Sequence, residues 1–256
     1  MLESVRKSND KINLNYQIKS RNPMMANQRL DSEFFDYLIA SILDADKDTD
    51  RLPSLNALSQ ELGVSVARLR EQLEVAKALG FVEVRPRTGI RRLPYSFAPA
   101  IWQSLSYAIT IDPDHFLSFA VLRRQVELAF WDQAVRTLTE ADQVELQSLM
   151  VKAFRKLNGT PIRIPHAEHR QLHLTIYKRL ENPFVIGILE AFWDAYEAAR
   201  YNLYSDYHYL KEVWNYHQQM VDSICSGNYD AGYRALQKHT DLLYHHPESM
   251  TSLDEK

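Results

Sequence analysis

The sequence predicts a mainly α-helical chain in two parts: a small unit in which short helices run into a basic two-strand hairpin, then an all-α antiparallel bundle. Three observations predict this. From Leu52 to Pro94 apolar residues recur at helical spacing and then alternate as in strands. Beyond Pro99 every apolar pattern is helical, divided by capping residues and breaks. Charge is divided as well: a net charge of -3 over 256 residues hides eight Lys or Arg against four Asp or Glu from Arg51 to Tyr95, and residues 96 to 256 are net acidic. Such asymmetry suits a nucleic-acid-contacting part joined to a part that recognises something else.

Residues 1–30 are polar, carry six basic and two acidic side chains, and show little periodicity. They read as a flexible arm, either a plain tail or one whose basic excess touches DNA phosphates. From Asp31 to Leu43, the apolar residues Phe34, Phe35, Leu38, Ile39, Ile42 and Leu43 form a helical stripe, and the acidic run Asp44 to Asp50 follows as a loop. Leu58, Leu62 and Val64 then align with Leu69, Leu73, Val75 and Leu79 across the turn Leu62-Gly63-Val64-Ser65, so two helices can share one small core. Gly63 suits the tight corner and Ser65 the N-cap of the second helix, Ser65 to Leu79. Gly80 ends that helix, Phe81 to Val84 is a strand, Arg85 to Gly89 turns, and Ile90 to Leu93 returns with Arg91 and Arg92 in it.

Residues 31–94 therefore read as a winged helix-turn-helix. Val66, Ala67, Arg68 and Arg70 stand in the first turns of the second helix, where a recognition helix meets base edges, and arginine can grip guanine bidentately. The candidate DNA contacts are Ser54, Asn56, Ser65, Ala67, Arg68 and Arg70, with Arg87, Thr88 and Gly89 at the wing tip. The plainer reading is a solvated basic helix face, and the joint presence of helix, turn, helix and wing weighs against it.

Pro94 to Pro99 places a linker, so residues 95–114 read as linker and connecting helix, the helix running from Trp102 to Ile111. Asp112-Pro113-Asp114 starts a long helix, Phe116 to Thr137, with apolar positions at Phe119, Leu122, Val126, Leu128, Ala129 and Trp131. Thr139-Glu140-Ala141-Asp142 has the capping-box form and opens a helix to about Leu157, broken by Asn158-Gly159-Thr160-Pro161. Helices over Pro165 to Leu180 and Pro183 to Tyr204 follow, then a hairpin of Asp206 to Cys225 and Tyr229 to Tyr244 about Ser226-Gly227-Asn228. Residues 115–246 read as an all-α bundle, and 247–256 as a polar tail.

Composition excludes several classes. No apolar run approaches the ~18 residues of a membrane helix, and the first residues lack the apolar core of a signal peptide. The single Cys225 rules out an intrachain disulfide framework and suits a reducing cytoplasm, where we expect the protein. Seven glycines form no phosphate-binding loop.

Four histidines have ligand spacing. His169 and His173, four apart, project from one helix face about a turn apart. His217 and His239 lie eleven residues before and after Asn228, hence at one height of a helix hairpin folded there. Four neutral imidazoles suit a divalent transition metal, zinc or nickel first, with copper and iron also compatible. An open coordination position would admit an anion. The competing reading is a set of hydrogen-bonded core histidines. His166, His208, His245 and His246 read as surface residues, and Trp131, Trp193, Trp214, Tyr196, Tyr201, Tyr204, Tyr207, Tyr209 and Tyr216 as core, dimer surface or pocket lining.

Leu52-Pro53-Ser54, Leu62-Gly63-Val64-Ser65, Arg70-Glu71, Leu73, Gly80-Phe81-Val82 and Gly89 resemble, in order and spacing, the DNA-binding domain of the GntR family of bacterial transcription regulators. Leu55, Asn56 and Val66 depart from it: the family usually has Glu and Arg at the first two positions and Arg at the third. The bundle resembles the FCD ligand-binding domain of the FadR-like subfamily, through Leu122-Arg123 with Glu127, His169 to His173 before Asn182-Pro183, His217 with Ile224 and Asp230, and Ala231 to His239. The resemblance implies a metal held by His173, His217 and His239, with His169 where the family usually has Asp. It also implies that Arg123 can face an effector cavity, where a guanidinium beside a metal would hold a carboxylate. The alternative for Arg123 is an ion pair with Glu127 four residues on.

These readings converge on a ligand-responsive regulator that acts as a homodimer on a double-stranded operator and responds to a small organic acid. Two other classes compete. A metal-dependent hydrolase using the His cluster lacks a HExxH motif and an evident acid/base partner. A metal-free helical interaction module would leave the histidines structural.

Overall fold

The computed structural model describes residues 32–43, 50–198 and 207–242. The expected basic arm, most of the acidic loop, Leu43's side chain, Tyr201, Tyr204, His245, His246 and the polar tail lie outside what it describes. Among the described residues are ten helices and two strands: α1 (Glu33–Leu43), α2 (Leu55–Leu62), α3 (Val66–Ala78), β1 (Val82–Arg85), β2 (Gly89–Arg92), α4 (Ala98–Ile111), α5 (Asp114–Arg136), α6 (Glu140–Leu157), α7 (His166–Tyr177), α8 (Pro183–Ala198), α9 (Tyr207–Ser226) and α10 (Tyr229–Leu242). The chain divides into two compact units between Pro94 and Tyr95.

In the first unit, Ser54 and Ser65 cap α2 and α3, their hydroxyls accepting from the N–H groups of Ala57 (3.3 Å) and Arg68 (3.2 Å). Gly63 ends α2 at φ 69°, the left-handed conformation that the corner into α3 requires and that glycine adopts without strain. Phe34, Leu38, Leu52, Leu58, Leu69, Leu73, Ala76, Val82 and Ile90 form the core. The strands pair antiparallel in the register Val82↔Arg92 to Arg85↔Gly89, and Arg51 adds an isolated bridge to Arg91.

Two assignments to this core are corrected. Val75 is 44% exposed, and Ala76 takes the inward place, because Leu69, Leu73 and Ala76 stand at i, i+4 and i+7 while Val75 is rotated about 100° off that line. Ile42, on the last turn of α1, is 62% exposed.

The second unit is all helical. Its main pairings are α9 along α10, α4 along α8, and α6 along α7. The helix that was expected from Trp102 starts four residues earlier: Pro99 sits in the first turn of α4, where its missing N–H costs nothing. Thr139 and Asp142 close a capping box at the start of α6. Two glycines let helices approach closely. A Cβ on Gly187 of α8 would stand 2.7 Å from Phe97 Cβ and 2.8 Å from the Ala98 nitrogen, and one on Gly232 of α10 would stand 2.6 Å from Trp131 Cζ2.

The long helix α5 carries the chief departure from the expected pattern. Its buried line is Phe116, Ala120, Arg123, Glu127, Trp131, Ala134 and Val135, so two charged side chains occupy inward places. Leu122 is 45% exposed, and Ala129 is exposed. Apolar spacing alone turns this helix the wrong way at Leu122, since it gives no weight to charged residues on the buried face.

Candidate metal and anion site

Three helices bring the four histidines together. His169 and His173 project from α7, His217 from α9 and His239 from α10, and one ligand nitrogen from each lies within 4.8 Å of the others. His173, His217 and His239 are buried. The ring centroids of His217 and His239 stand 4.3 Å apart and those of His169 and His217 4.7 Å. Burial pushes His169, His217 and His239 well below the ordinary imidazole value. His173 is also lowered by burial, with the Glu127 carboxylate opposing the shift. The cluster thus offers neutral imidazoles with free lone pairs at neutral pH.

Whether an ion fits can be judged from these atoms. His173 Nε2 and His217 Nε2 are 3.2 Å apart. Two nitrogens bound at about 2.0–2.1 Å to one tetrahedral ion are roughly 3.4 Å apart. His169 Nε2, His217 Nδ1 and His239 Nδ1 are buried with no hydrogen-bond partner among the described residues. Buried polar atoms without partners are costly, and an ion would relieve part of that cost. The donor set fits a divalent transition metal.

Beside the cluster lies an inward ion pair. Arg123 Nη2 is 3.0 Å from Glu127 Oε2, and Glu127 Oε1 is 2.9 Å from His173 Nδ1. Burial would raise the Glu127 carboxyl, but Arg123 and His173 outweigh it and hold the pKa below the usual carboxylate value. The guanidinium also lies over Phe192, 4.6 Å from the ring centroid, and over Trp193 at 5.3 Å. Arg123 therefore makes the Glu127 pair and also lines a cavity, so the two readings of that arginine are not exclusive.

The cavity, of about 50 Å³, is walled by Phe192, Trp193, Tyr196, Tyr209, Val213 and Trp214, with Arg123, His169 and His239 supplying polar surface. At ~10–15 Å³ per water centre it admits roughly three to five water-sized groups, the scale of a small acid. Among the described residues no carboxylate lines it. Arg123 Nε and Trp193 Nε1, both buried donors, have no partner among the described residues. His166, expected on the surface, is half-buried and lines the same cavity, because α7 begins there and its first turn faces inward. His208 is exposed. Glu127, expected only as an ion-pair partner of Arg123, joins the site through His173; its signal in the sequence is an acid four places after Arg123 on a helix otherwise apolar on that side.

In the first unit, Ser54, Asn56, Ser65, Ala67, Arg68, Arg70, Arg87, Thr88 and Gly89 are all exposed. Arg68 is engaged: its Nη2 is 2.9 Å from Glu33 Oε1 on α1, and Gln72 Nε2 donates to the other oxygen of that carboxylate at 2.6 Å. Glu71 and Glu74 share the exposed face of α3 with Ala67 and Arg70.

A three-helix unit with a two-strand wing, followed by an all-α unit with a small, mainly aromatic cavity, is the architecture of a winged-helix transcription regulator. Comparison with known proteins agrees with this. Residues 119–242 match the FCD domain. The HTH-type transcriptional regulator YieP of Escherichia coli, named as uncharacterized, is 28% identical over 198 residues, covering 73% of this chain and 81% of YieP. The putative L-lactate dehydrogenase operon regulatory protein of the same species is 26% identical over 226 residues, covering 85% of this chain and 86% of that protein. A solved GntR of Streptococcus agalactiae shares the fold at a TM-score of 0.62 and 17% identity, with 82% of this chain and 96% of that one covered. Residues 119–242 thus carry an FCD domain, and the chain as a whole is similar to HTH-type transcriptional regulators, with the fold of a solved GntR. It is a regulator and not an enzyme, which removes the hydrolase reading.

Proposed function

We propose that this regulator binds operator DNA as a homodimer through its winged unit, and that its FCD unit binds a divalent metal and a small carboxylate that together set DNA affinity. The observation that carries the reading is the buried four-histidine cluster beside Arg123, with ligand nitrogens within 4.8 Å of one another and a small cavity adjoining it. His169, His173, His217 and His239 would hold the ion. Bound there, a metal supplies a positive point charge and a Lewis-acid position for a carboxylate oxygen.

The protein's own groups do the rest. Arg123 contributes a fixed positive charge on the cavity wall, and the unpartnered Trp193 N–H is a second donor for an anion. The aromatic wall lowers the local dielectric, which strengthens both interactions. Among the described residues no acid stands on the cavity wall to repel an anion. One relative is named for the operon of an L-lactate enzyme, and lactate is itself a small carboxylate.

On the winged unit, exposed Arg70 at the start of α3 and Arg87 at the wing tip would supply base and phosphate contacts, with Ser54, Asn56, Ser65, Ala67, Arg68, Thr88 and Gly89 around them. A ligand changes DNA affinity only if it favours one arrangement of the dimer over the other. The test is a melting-temperature screen of the intact protein against zinc and nickel, then of the metal-loaded protein against small carboxylates, followed by DNA binding with and without the best acid. The expected result is a metal-dependent rise, a further rise with acid, and altered DNA affinity. No rise with either metal would sink the metal and effector reading.

A further inference from the structure

We propose that Glu127 is the positioning residue of the histidine cluster: its carboxylate accepts a hydrogen bond from the Nδ1–H of His173, turns Nε2 of that ring toward the ion, and at the same time holds Arg123 beside it. This rests on the metal-binding reading above.

Glu127 is wholly buried, on the inward line of α5 between Ala120 and Trp131, where apolar side chains are expected. A buried ion pair is weak support for a fold, because well-packed apolar residues of similar volume serve as well or better. Folding alone therefore does not account for Arg123 and Glu127, and their placement points to the site. The two carboxylate oxygens are divided between two partners, Oε1 at 2.9 Å from His173 Nδ1 and Oε2 at 3.0 Å from Arg123 Nη2. The Tyr177 hydroxyl donates to the Glu127 backbone carbonyl at 2.8 Å and ties α7, which carries His173, to this point of α5.

A neutral imidazole carries one proton on either nitrogen. His173 Nε2 faces His217 Nε2 at 3.2 Å, inside the cluster, so binding an ion requires its lone pair there and leaves the proton on Nδ1. Arg123 Nη2 lies 2.9 Å from Nδ1 and 3.2 Å from Nε2, but a guanidinium has no acceptor and cannot accept a hydrogen bond from Nδ1–H. The Glu127 carboxylate can. By contrast, the Nδ1 atoms of His217 and His239 have no hydrogen-bond partner among the described residues. His173 is thus the ring whose orientation is fixed by a carboxylate, and the four imidazoles themselves bring no negative charge. Such outer partners typically contribute 10–100-fold to metal affinity.

The experiment uses the full-length protein and zinc. Zinc affinity is measured by competition with a chromophoric chelator for the wild type, Glu127→Gln and Glu127→Asp, with helix content and melting temperature followed in parallel. Histidine-labelled, zinc-loaded wild type is examined by two-bond ¹H–¹⁵N spectra. The expected results are a folded Glu127→Gln that binds zinc 10–100-fold more weakly, partial recovery in Glu127→Asp, and a His173 signal with Nδ1 protonated and Nε2 bound. A folded Glu127→Gln of wild-type affinity would overturn the inference, as would wild-type spectra showing zinc on Nδ1 of His173. If Glu127→Gln does not fold, the wild-type spectrum decides. A wild type that takes up no zinc sinks the metal reading and this inference with it, whereas zinc binding indifferent to Glu127 sinks only the inference.

Discussion

His173 Nε2 and His217 Nε2 face each other 3.2 Å apart in the interior of the second unit, one from α7 and the other from α9. Two lone pairs at that separation repel unless a proton or an ion lies between them. An ion joining α7, α9 and α10 would add cross-links that the apo protein lacks. At a free zinc concentration 100 times Kd, the stabilisation is about 2.7 kcal/mol. The wild type should therefore melt several degrees higher with zinc than with a chelator, and His217→Ala should abolish the difference. A zinc-induced rise that survives His217→Ala would place the ion elsewhere.

DNA contact is expected to separate by residue. Arg70 is exposed on the first turns of α3, and Arg87 is exposed at the wing tip with φ 67°. Replacing Arg70 by Ala should cost roughly 1–3 kcal/mol on the operator and relax preference at one base pair, as loss of a base contact does. Arg87→Ala should weaken binding to all sequences alike and lower the salt slope by about one. Equal affinity for Arg70→Ala and wild type, measured by fluorescence anisotropy at fixed salt, would remove Arg70 from the interface.

Much of this molecule was legible in its sequence where one residue type has one local use. Ser65, Gly63 and Thr139 marked helix boundaries because a hydroxyl accepts from an N–H two or three residues on, and because glycine tolerates positive φ. The histidine cluster was legible because i, i+4 spacing and the symmetry of a helix hairpin are geometric. What failed was rotation about a helix axis. Val75 and Ala76 are neighbours of similar apolarity, and only the packing of α3 decides which faces inward. Leu122 and Arg123 present the same choice, and there the charged residue goes inside because Glu127 and the histidines are present to receive it. Glu127 is within local reach, four residues on along the same helix, but His173 lies 50 positions from Arg123 and 46 from Glu127 on another helix, beyond the reach of any local pattern.

Asp142 should make the stability of the second unit sensitive to acid. The hydrogen bond from Arg179, with further ones from Lys178 and Thr139, holds its carboxyl well below the usual carboxylate range. Its folded pKa is depressed, so the stabilisation is fully present above the unfolded value of about 3.9 and is lost as pH falls below it. Asp142→Asn should lower stability by about 1–2 kcal/mol at pH 7, discounted for the exposed ends of Arg179 and Lys178. Denaturant titrations should show the gap closing as pH falls from 4 toward 2. A gap unchanged across that range would mean that the Asp142 charge contributes nothing.

Gly187 tests how closely α4 and α8 must approach. An added Cβ would lie 2.8 Å from a backbone nitrogen, that of Ala98, which cannot rotate out of the way. Gly187→Ala normally gains helix propensity of about 1 kcal/mol. Here overpacking, typically costing ~1–3 kcal/mol, should outweigh it and leave the variant less stable by urea denaturation. A more stable Gly187→Ala would show that the two helices can part at little cost.

Trp193 offers the sharpest separation of effector binding from metal binding. Its ring stands edge-on to His169 at 4.6 Å between centroids, and its indole N–H is buried without a partner among the described residues. Removing a donor that makes no bond in the free protein forfeits no hydrogen bond on folding, so Trp193→Phe loses only packing, on the order of 1 kcal/mol. If the N–H receives a carboxylate oxygen, its loss should weaken binding of a small carboxylate to the zinc-loaded protein by about 5–10-fold, the worth of one hydrogen bond to a charged group. Zinc affinity should stay within twofold, since no ligand atom is touched. Calorimetric titration of the wild type and Trp193→Phe with zinc, and then of the zinc-loaded proteins with acetate and lactate, reads the two quantities separately. Parallel losses of zinc and acid affinity would instead make Trp193 a support for His169, and unchanged acid affinity would direct the N–H away from the ligand.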